Sequence, residues 1–158
     1  MTKDNRQKGA RSPLPDQTIH RTVLDNGIVV LVVENPAADI IAGRIFVRAG
    51  SCWETPAQAG LVHLLSAVLT KGTQNLTSLE IAERVESVGA SLSADAATDY
   101  FLLSLKTVSA DFVEILELAG QLMRLPTFPE DEVELERRLA LQDIRSQQEQ
   151  PLTITFDQ

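Results

Sequence analysis

The sequence is poor in the side chains that build disulfide frameworks and zinc sites. It has one cysteine, Cys52, and two histidines, His20 and His63. A single thiol cannot form an internal disulfide, and two histidines so far apart exclude a zinc site built from imidazoles on neighbouring turns of one helix. Residues 1–18 also lack the apolar run of a signal peptide and the length of a membrane span. We therefore expect a cytoplasmic protein with no membrane partner.

Basic residues are outnumbered by acidic ones. The chain has 14 Lys and Arg against 22 Asp and Glu, which gives a formal net charge of −8. Proteins that bind phosphate backbones by releasing counterions are rarely this acidic, so we expect no nucleic-acid partner. The 158 residues suit one globular domain. We predict a flexible polar tail over 1–17 and a domain over 18–158 that is truncated at its C-terminal end.

Two antiparallel hairpins are predicted, with a further strand between them. The first hairpin turns at Asn26-Gly27, because this pair supplies the positive φ angles of a tight turn. The second turns at the polar stretch 95–99. The predicted strands are 18–24, 28–33, 40–49, 90–94 and 100–108.

Four helices are predicted from apolar spacing and capping signals. The first, 58–69, is apolar nearly all round and is predicted to be buried. Thr77 and Glu80 form a capping box for the second helix. Ser109 is the candidate cap of the third helix, and Pro129 opens the fourth. Because strands joined by tight turns run antiparallel, we predict an α+β fold in which helices pack on one face of an antiparallel sheet.

The first helix carries the most specific motif of the chain, Gly60-Leu61-Val62-His63-Leu64-Leu65-Ser66-Ala67. It resembles the His-x-x-Glu-His helix of the pitrilysin, insulysin and mitochondrial processing peptidase family. Other segments that fall in the family's order are Leu24-Asp25-Asn26-Gly27, Arg48-Ala49-Gly50-Ser51-x-x-Glu54, Lys71-Gly72-Thr73, Ile81-Ala82-Glu83 and Phe128-Pro129-Glu130.

The resemblance implies which positions would carry the family's chemistry. In that family two histidines bind zinc, the glutamate between them activates water, and a later glutamate completes the metal shell. Here His63 keeps the first histidine position, while Ser66 replaces the glutamate and Ala67 the second histidine. On the last helix, Asp143 matches the third ligand position and Glu136 the accompanying glutamate.

These replacements predict a catalytically silent member of the family. A catalytic zinc keeps three protein ligands, whereas His63 and the shortened Asp143 are the only candidates here, and we expect no bound metal. Serine is not a general base near pH 7, so water activation fails as well. Without the family, the simplest interpretation of His63 is a packed core histidine. For Asp143 and Glu136, on a charge-rich helix, a solvated face and a site role both remain open.

The resemblance also implies a function. In the family, related halves pack into a hollow shell around an extended substrate, and some enzymes pair an active subunit with one that lacks the zinc motif. This chain is similar to the N-terminal portion of such a subunit, one half of a two-half molecule. We expect it to form a chamber wall beside a zinc-bearing homologous partner and to bind extended peptide at an edge strand. That strand comprises Ala90, Ser91, Leu92, Ser93 and Ala94.

Two alternative functions remain open, and the charge of the bound peptide is a separate expectation. The net charge of −8 suits a wall that prefers basic peptides. The chain is also similar to the core subunits of respiratory complexes, which implies a structural scaffold. Finally, an active metalloendopeptidase with atypical ligands would show itself by bound metal and turnover.

Overall fold

A computed structural model of the chain describes residues 18–148, and the chain divides into two compact units between Asp39 and Ile40. The predicted tail over 1–17 and the C-terminal residues 149–158 lie outside the described residues.

The first unit contains the hairpin predicted around the Asn-Gly pair. Strand β1 (Ile19–Val23) pairs antiparallel with β2 (Val29–Val33). Gly27 has φ = 84°, and the Ile28 N–H donates to Asn26 Oδ1 at 3.1 Å. The predicted hairpin is confirmed, but only Gly27 of the pair has a positive φ, and Asn26 contributes its side-chain hydrogen bond instead.

The second unit is built on a three-stranded antiparallel sheet. Its strands are β3 (Ile40–Val47), β4 (Ser91–Ala96) and β5 (Phe101–Val108), in the spatial order β3-β5-β4. Strand β5 pairs on both sides, whereas β4 pairs only with β5 among the described residues. Strand β4 is therefore an edge of this sheet.

Four helices accompany the sheet, namely α1 (Leu61–Val68), α2 (Ser78–Ser87), α3 (Phe112–Arg124) and α4 (Glu130–Gln148). The capping box of α2 is present, with the Glu80 N–H donating to Thr77 Oγ1 and the Thr77 N–H donating to Glu80 Oε2. The predicted cap Ser109 is wrong, because residues 109–111 form a 3₁₀ turn and Asp111 precedes α3 instead. No helix within 18–148 is both long enough and apolar enough to cross a membrane.

The hydrophobic core lies on one face of the sheet. Phe101, Leu103 and Leu105 of β5 are buried against Ile115 and other apolar residues of the helices. Because strand side chains alternate, the intervening residues of the three strands lie on the opposite face, which we call the open face. The sequence prediction of an α+β fold with helices on one face of an antiparallel sheet is confirmed.

Candidate functional site

The start of α1 is fixed by a carboxylate from the loop that follows β3. Glu54 Oε1 accepts the Val62 N–H at 2.7 Å, and Oε2 accepts the Gly60 N–H at 2.9 Å. These two hydrogen bonds hold the pKa of Glu54 below its usual value, and the bond from Val62 has the larger effect. Gly60 has φ = 90°, so the chain turns sharply there and the helix begins at Leu61, three residues later than predicted.

The helix that was predicted to be buried is only partly buried. Val68 is its one fully buried residue, Leu61 is 53% exposed, and the His63 side chain is also exposed. The core-histidine interpretation of His63 is therefore wrong. The helix contacts both α4 and β4, and five of its eight residues are half-buried.

The motif positions on α1 are occupied by side chains with little chemistry between them. The Ser66 hydroxyl donates to the main-chain carbonyl oxygen of His63 at 2.7 Å, so its proton is bonded to its own helix. Ala67 offers no donor atom. The structure therefore shows neither a base at the glutamate position nor a ligand at the second histidine position.

The glutamate predicted to accompany the third ligand is held by an ion pair. Lys71, just after α1, places Nζ 2.8 Å from Glu136 Oε1 and 3.8 Å from Glu132 Oε2. The hydrogen bond to Glu136 is the main cause that raises the pKa of Lys71. The Glu136 side chain is 18% exposed, so its solvated-face interpretation is wrong, whereas Asp143 on the same helix is exposed, as that interpretation expects.

The residues present do not fit a catalytic zinc. Within 18–148 there is no group of three His, Cys, Asp or Glu side chains placed to hold a metal ion. Of the positions singled out from the sequence, His63 retains an imidazole and Asp143 a short carboxylate, while Glu136 is engaged by Lys71. A zinc with three protein ligands would need a donor that Ala67 cannot supply.

The predicted peptide-binding strand lies at the sheet edge expected for it. Strand β4 begins at Ser91, so Ala90 is not part of it, because the Ala90 N–H donates to the Val85 carbonyl at the end of α2. Ser91 and Ser93 are exposed on the open face, and Leu92 and Ala94 pack towards the core. Along such an edge, the backbone groups that point away from the paired strand are free to bind another one.

Comparison with known proteins places these features in a family. The family described as insulinase (peptidase family M16) matches residues 29–158. The chain belongs to this family. The resemblance drawn from the sequence motifs is therefore confirmed.

The relatives of this M16 chain include a subunit named for a processing peptidase and one named for the cytochrome b-c1 complex. The mitochondrial-processing peptidase subunit alpha of Solanum tuberosum is 32% identical over 127 residues, covering 77% of this chain and 25% of the relative. The cytochrome b-c1 complex subunit 1 of Mus musculus is 26% identical over 136 residues, covering 86% of this chain and 28% of the relative. The chain thus spans about a quarter of the length of these relatives.

Among solved structures, one described as a peptidase M16 inactive domain from Pseudomonas fluorescens is similar, with a TM-score of 0.79 and 27% identity. The match covers 87% of this chain and 34% of that one.

Glu54 and Lys71 were not predicted from the sequence to have a role of their own in the site. The only sequence signal for either was its place in the family's order of motifs.

Proposed function

We propose that this M16 chain is a non-catalytic part of a processing-peptidase-like complex. The observation that carries the proposal is the state of α1: Ala67 has no donor atom, and the Ser66 hydroxyl is bonded to the His63 carbonyl. Zinc-dependent hydrolysis needs a full ligand set and a base for the attacking water. Neither requirement is supplied by these side chains, so we assign the chain no cofactor of its own.

The same proposal gives the chain a peptide-binding role. Strand β4 is short, antiparallel to β5 and unpaired on its other side within 18–148. An extended peptide can add to such an edge through main-chain hydrogen bonds. Residues Ser91–Ala94 would make these contacts, with Ala90 just before them.

A zinc-bearing homologous subunit is the proposed partner. Two observations support it: Ser66 and Ala67 occupy the positions of the base and of the second zinc ligand, and one relative is named as a subunit of a mitochondrial-processing peptidase. The partner would supply the metal and the cleavage, while this chain would form one wall of the substrate chamber. We also propose a cytoplasmic location without a membrane partner. We propose no nucleic-acid partner, in keeping with the net charge of −8.

Zinc content and cleavage of an unfolded protein test the non-catalytic role. The purified chain should hold far less than one zinc per molecule and should leave the unfolded protein intact. A matched variant, S66E/A67H/D143E, restores the family's donor types on the same helices and should raise the bound zinc above that of the unmodified chain. Stoichiometric zinc together with turnover by the unmodified chain would refute the proposal and favour the peptidase with atypical ligands.

One observation favours a second candidate, a structural scaffold. The similarity to cytochrome b-c1 complex subunit 1 extends over 86% of this chain. A scaffold needs no peptide binding, so fluorescence anisotropy with labelled extended peptides separates the two functions. Saturable binding supports the chamber wall, whereas its absence supports the scaffold.

A further inference from the structure

The open face of the sheet carries two basic side chains in an otherwise acidic protein. Arg44 lies on β3 and Lys106 on β5, and both are exposed. Neither belongs to any of the ion pairs formed between residues 18 and 148. Both cations are therefore available to a ligand that lies against this face.

The strand register arranges the open face in rows that run across the sheet. Ser91 on β4 is paired with Lys106, which is paired with Ala42 on β3. The next row, one step further along β4, contains Ser93 on β4, Ser104 on β5 and Arg44 on β3. Directly opposed residues of neighbouring strands lie about 5 Å apart, so the side chains within a row are neighbours.

The third row differs in character from the first two. It contains Asp95 on β4, Leu102 on β5 and Phe46 on β3. Phe46 packs edge-to-face against Tyr100, with ring centroids 5.2 Å apart. The open face is therefore basic at the Ser91 end of β4 and acidic and apolar at the Asp95 end.

A peptide that adds to β4 would extend these rows by one residue each. The backbone of Lys106 would lie two strand spacings, about 10 Å, from that of the added residue. Serine is the only side chain between them in this row, and it is too short to block the approach. A long acidic side chain on the peptide and the flexible lysine can meet above Ser91, whereas a basic peptide side chain there would face Lys106.

We infer that the chain selects extended peptides with an acidic side chain opposite Ser91. This inference rests on the proposed peptide-binding function and specifies the substrate class. It reverses the preference for basic peptides suggested by the net charge of −8, because net charge does not locate the charges. The acidic excess includes side chains that do not belong to the sheet, for example Glu130, Asp131 and Glu132 in the first turn of α4.

Fluorescence anisotropy with the full chain tests the selection. The probes are fluorescein-labelled ten-residue peptides of Thr and Val with one central Glu, or with Gln at the same place. We expect the Glu peptide to bind about twofold more tightly, less than the strongest opposite-charge pairs on directly neighbouring strands, because Ser91 lies between the two charges. Lys106→Gln should abolish this ratio, Lys106→Arg should retain it, and the matched control Arg124→Gln on α3 should leave it unchanged.

The outcomes separate this inference from the function on which it rests. Equal binding of both peptides to the unmodified chain would overturn the acidic preference and leave peptide binding intact. A Glu preference that survives Lys106→Gln would overturn the assignment to Lys106. Failure of both peptides to bind would overturn the proposed function and the inference together.

Discussion

Replacing Gly50 with alanine should destabilise the domain through a steric contact with backbone. An alanine Cβ would lie 2.1 Å from the Thr98 carbonyl oxygen and 2.5 Å from its carbon, in the turn between β4 and β5. Gly50 has φ = −105° and ψ = −176°, a conformation that alanine adopts readily, so the contact alone causes the effect. Restoring an ordinary separation requires the two segments to move apart by roughly an ångström.

That movement would break the bonds that join the loop to the turn. The Ser51 N–H donates to the Ala97 carbonyl at 3.1 Å, and the Cys52 N–H donates to the Thr98 carbonyl at 3.0 Å. Overpacking costs typically 1–3 kcal/mol and each lost hydrogen bond about 1 kcal/mol, so we expect a loss of about 3 kcal/mol. In a domain of this size the Tm should fall by roughly 6–12 °C.

Thermal and urea unfolding followed by circular dichroism measures this change. The matched control is Gly120→Ala in α3, where an added Cβ meets no atom within 4 Å. That variant should gain roughly 0.5–1 kcal/mol, because alanine is the better helix former. If Gly50→Ala unfolds within about 1 kcal/mol of the unmodified chain, the steric reasoning is refuted.

Two further predictions concern the ends of α1. Glu54→Gln should lower stability at pH 7, because the carboxylate accepts two N–H groups at the helix start. The pKa of Glu54 is lowered, so the stability that its carboxylate contributes is present above the unfolded pKa of about 4.3 and is lost as the pH falls through the folded pKa. In urea unfolding, the difference in free energy of unfolding between the unmodified chain and Glu54→Gln should therefore disappear in acid. A difference that stays constant with pH would contradict this. Lys71→Met should cost about 2 kcal/mol by leaving the Glu136 carboxylate, 18% exposed, without its cation. Because the pKa of Lys71 is raised, the pair should stabilise the unmodified chain up to about pH 10.4, and this effect should be lost as the pH rises through the folded-state pKa. If urea unfolding shows no loss of stability in Lys71→Met, the stabilising role of the pair is contradicted.

Local signals in the sequence were sufficient for much of the fold. The turn at Asn26-Gly27 and the capping box of Thr77 and Glu80 depend on residues only a few positions apart. Such features are encoded by neighbouring residues and can be predicted from them. The antiparallel pairing of β4 and β5 followed from the short polar turn between them.

The interactions that organise the site depend on residues far apart in the sequence. Glu54 bonds the Val62 N–H eight residues on, across a sharp turn at Gly60, and Lys71 reaches Glu136 on another helix. No periodicity or capping pattern indicates either contact. The exposure of His63 was missed for a related reason, because burial depends on which elements pack against a helix as well as on its own composition.

The length of β4 limits what can pair with it. Its six residues, extended at about 3.4 Å each, span roughly 20 Å. Six residues of an α-helix span only about 9 Å and direct their backbone hydrogen bonds inward. A segment that is helical in isolation must therefore unwind before it can align along the whole strand, so the edge would discriminate against targets that hold their own structure, whatever their charge.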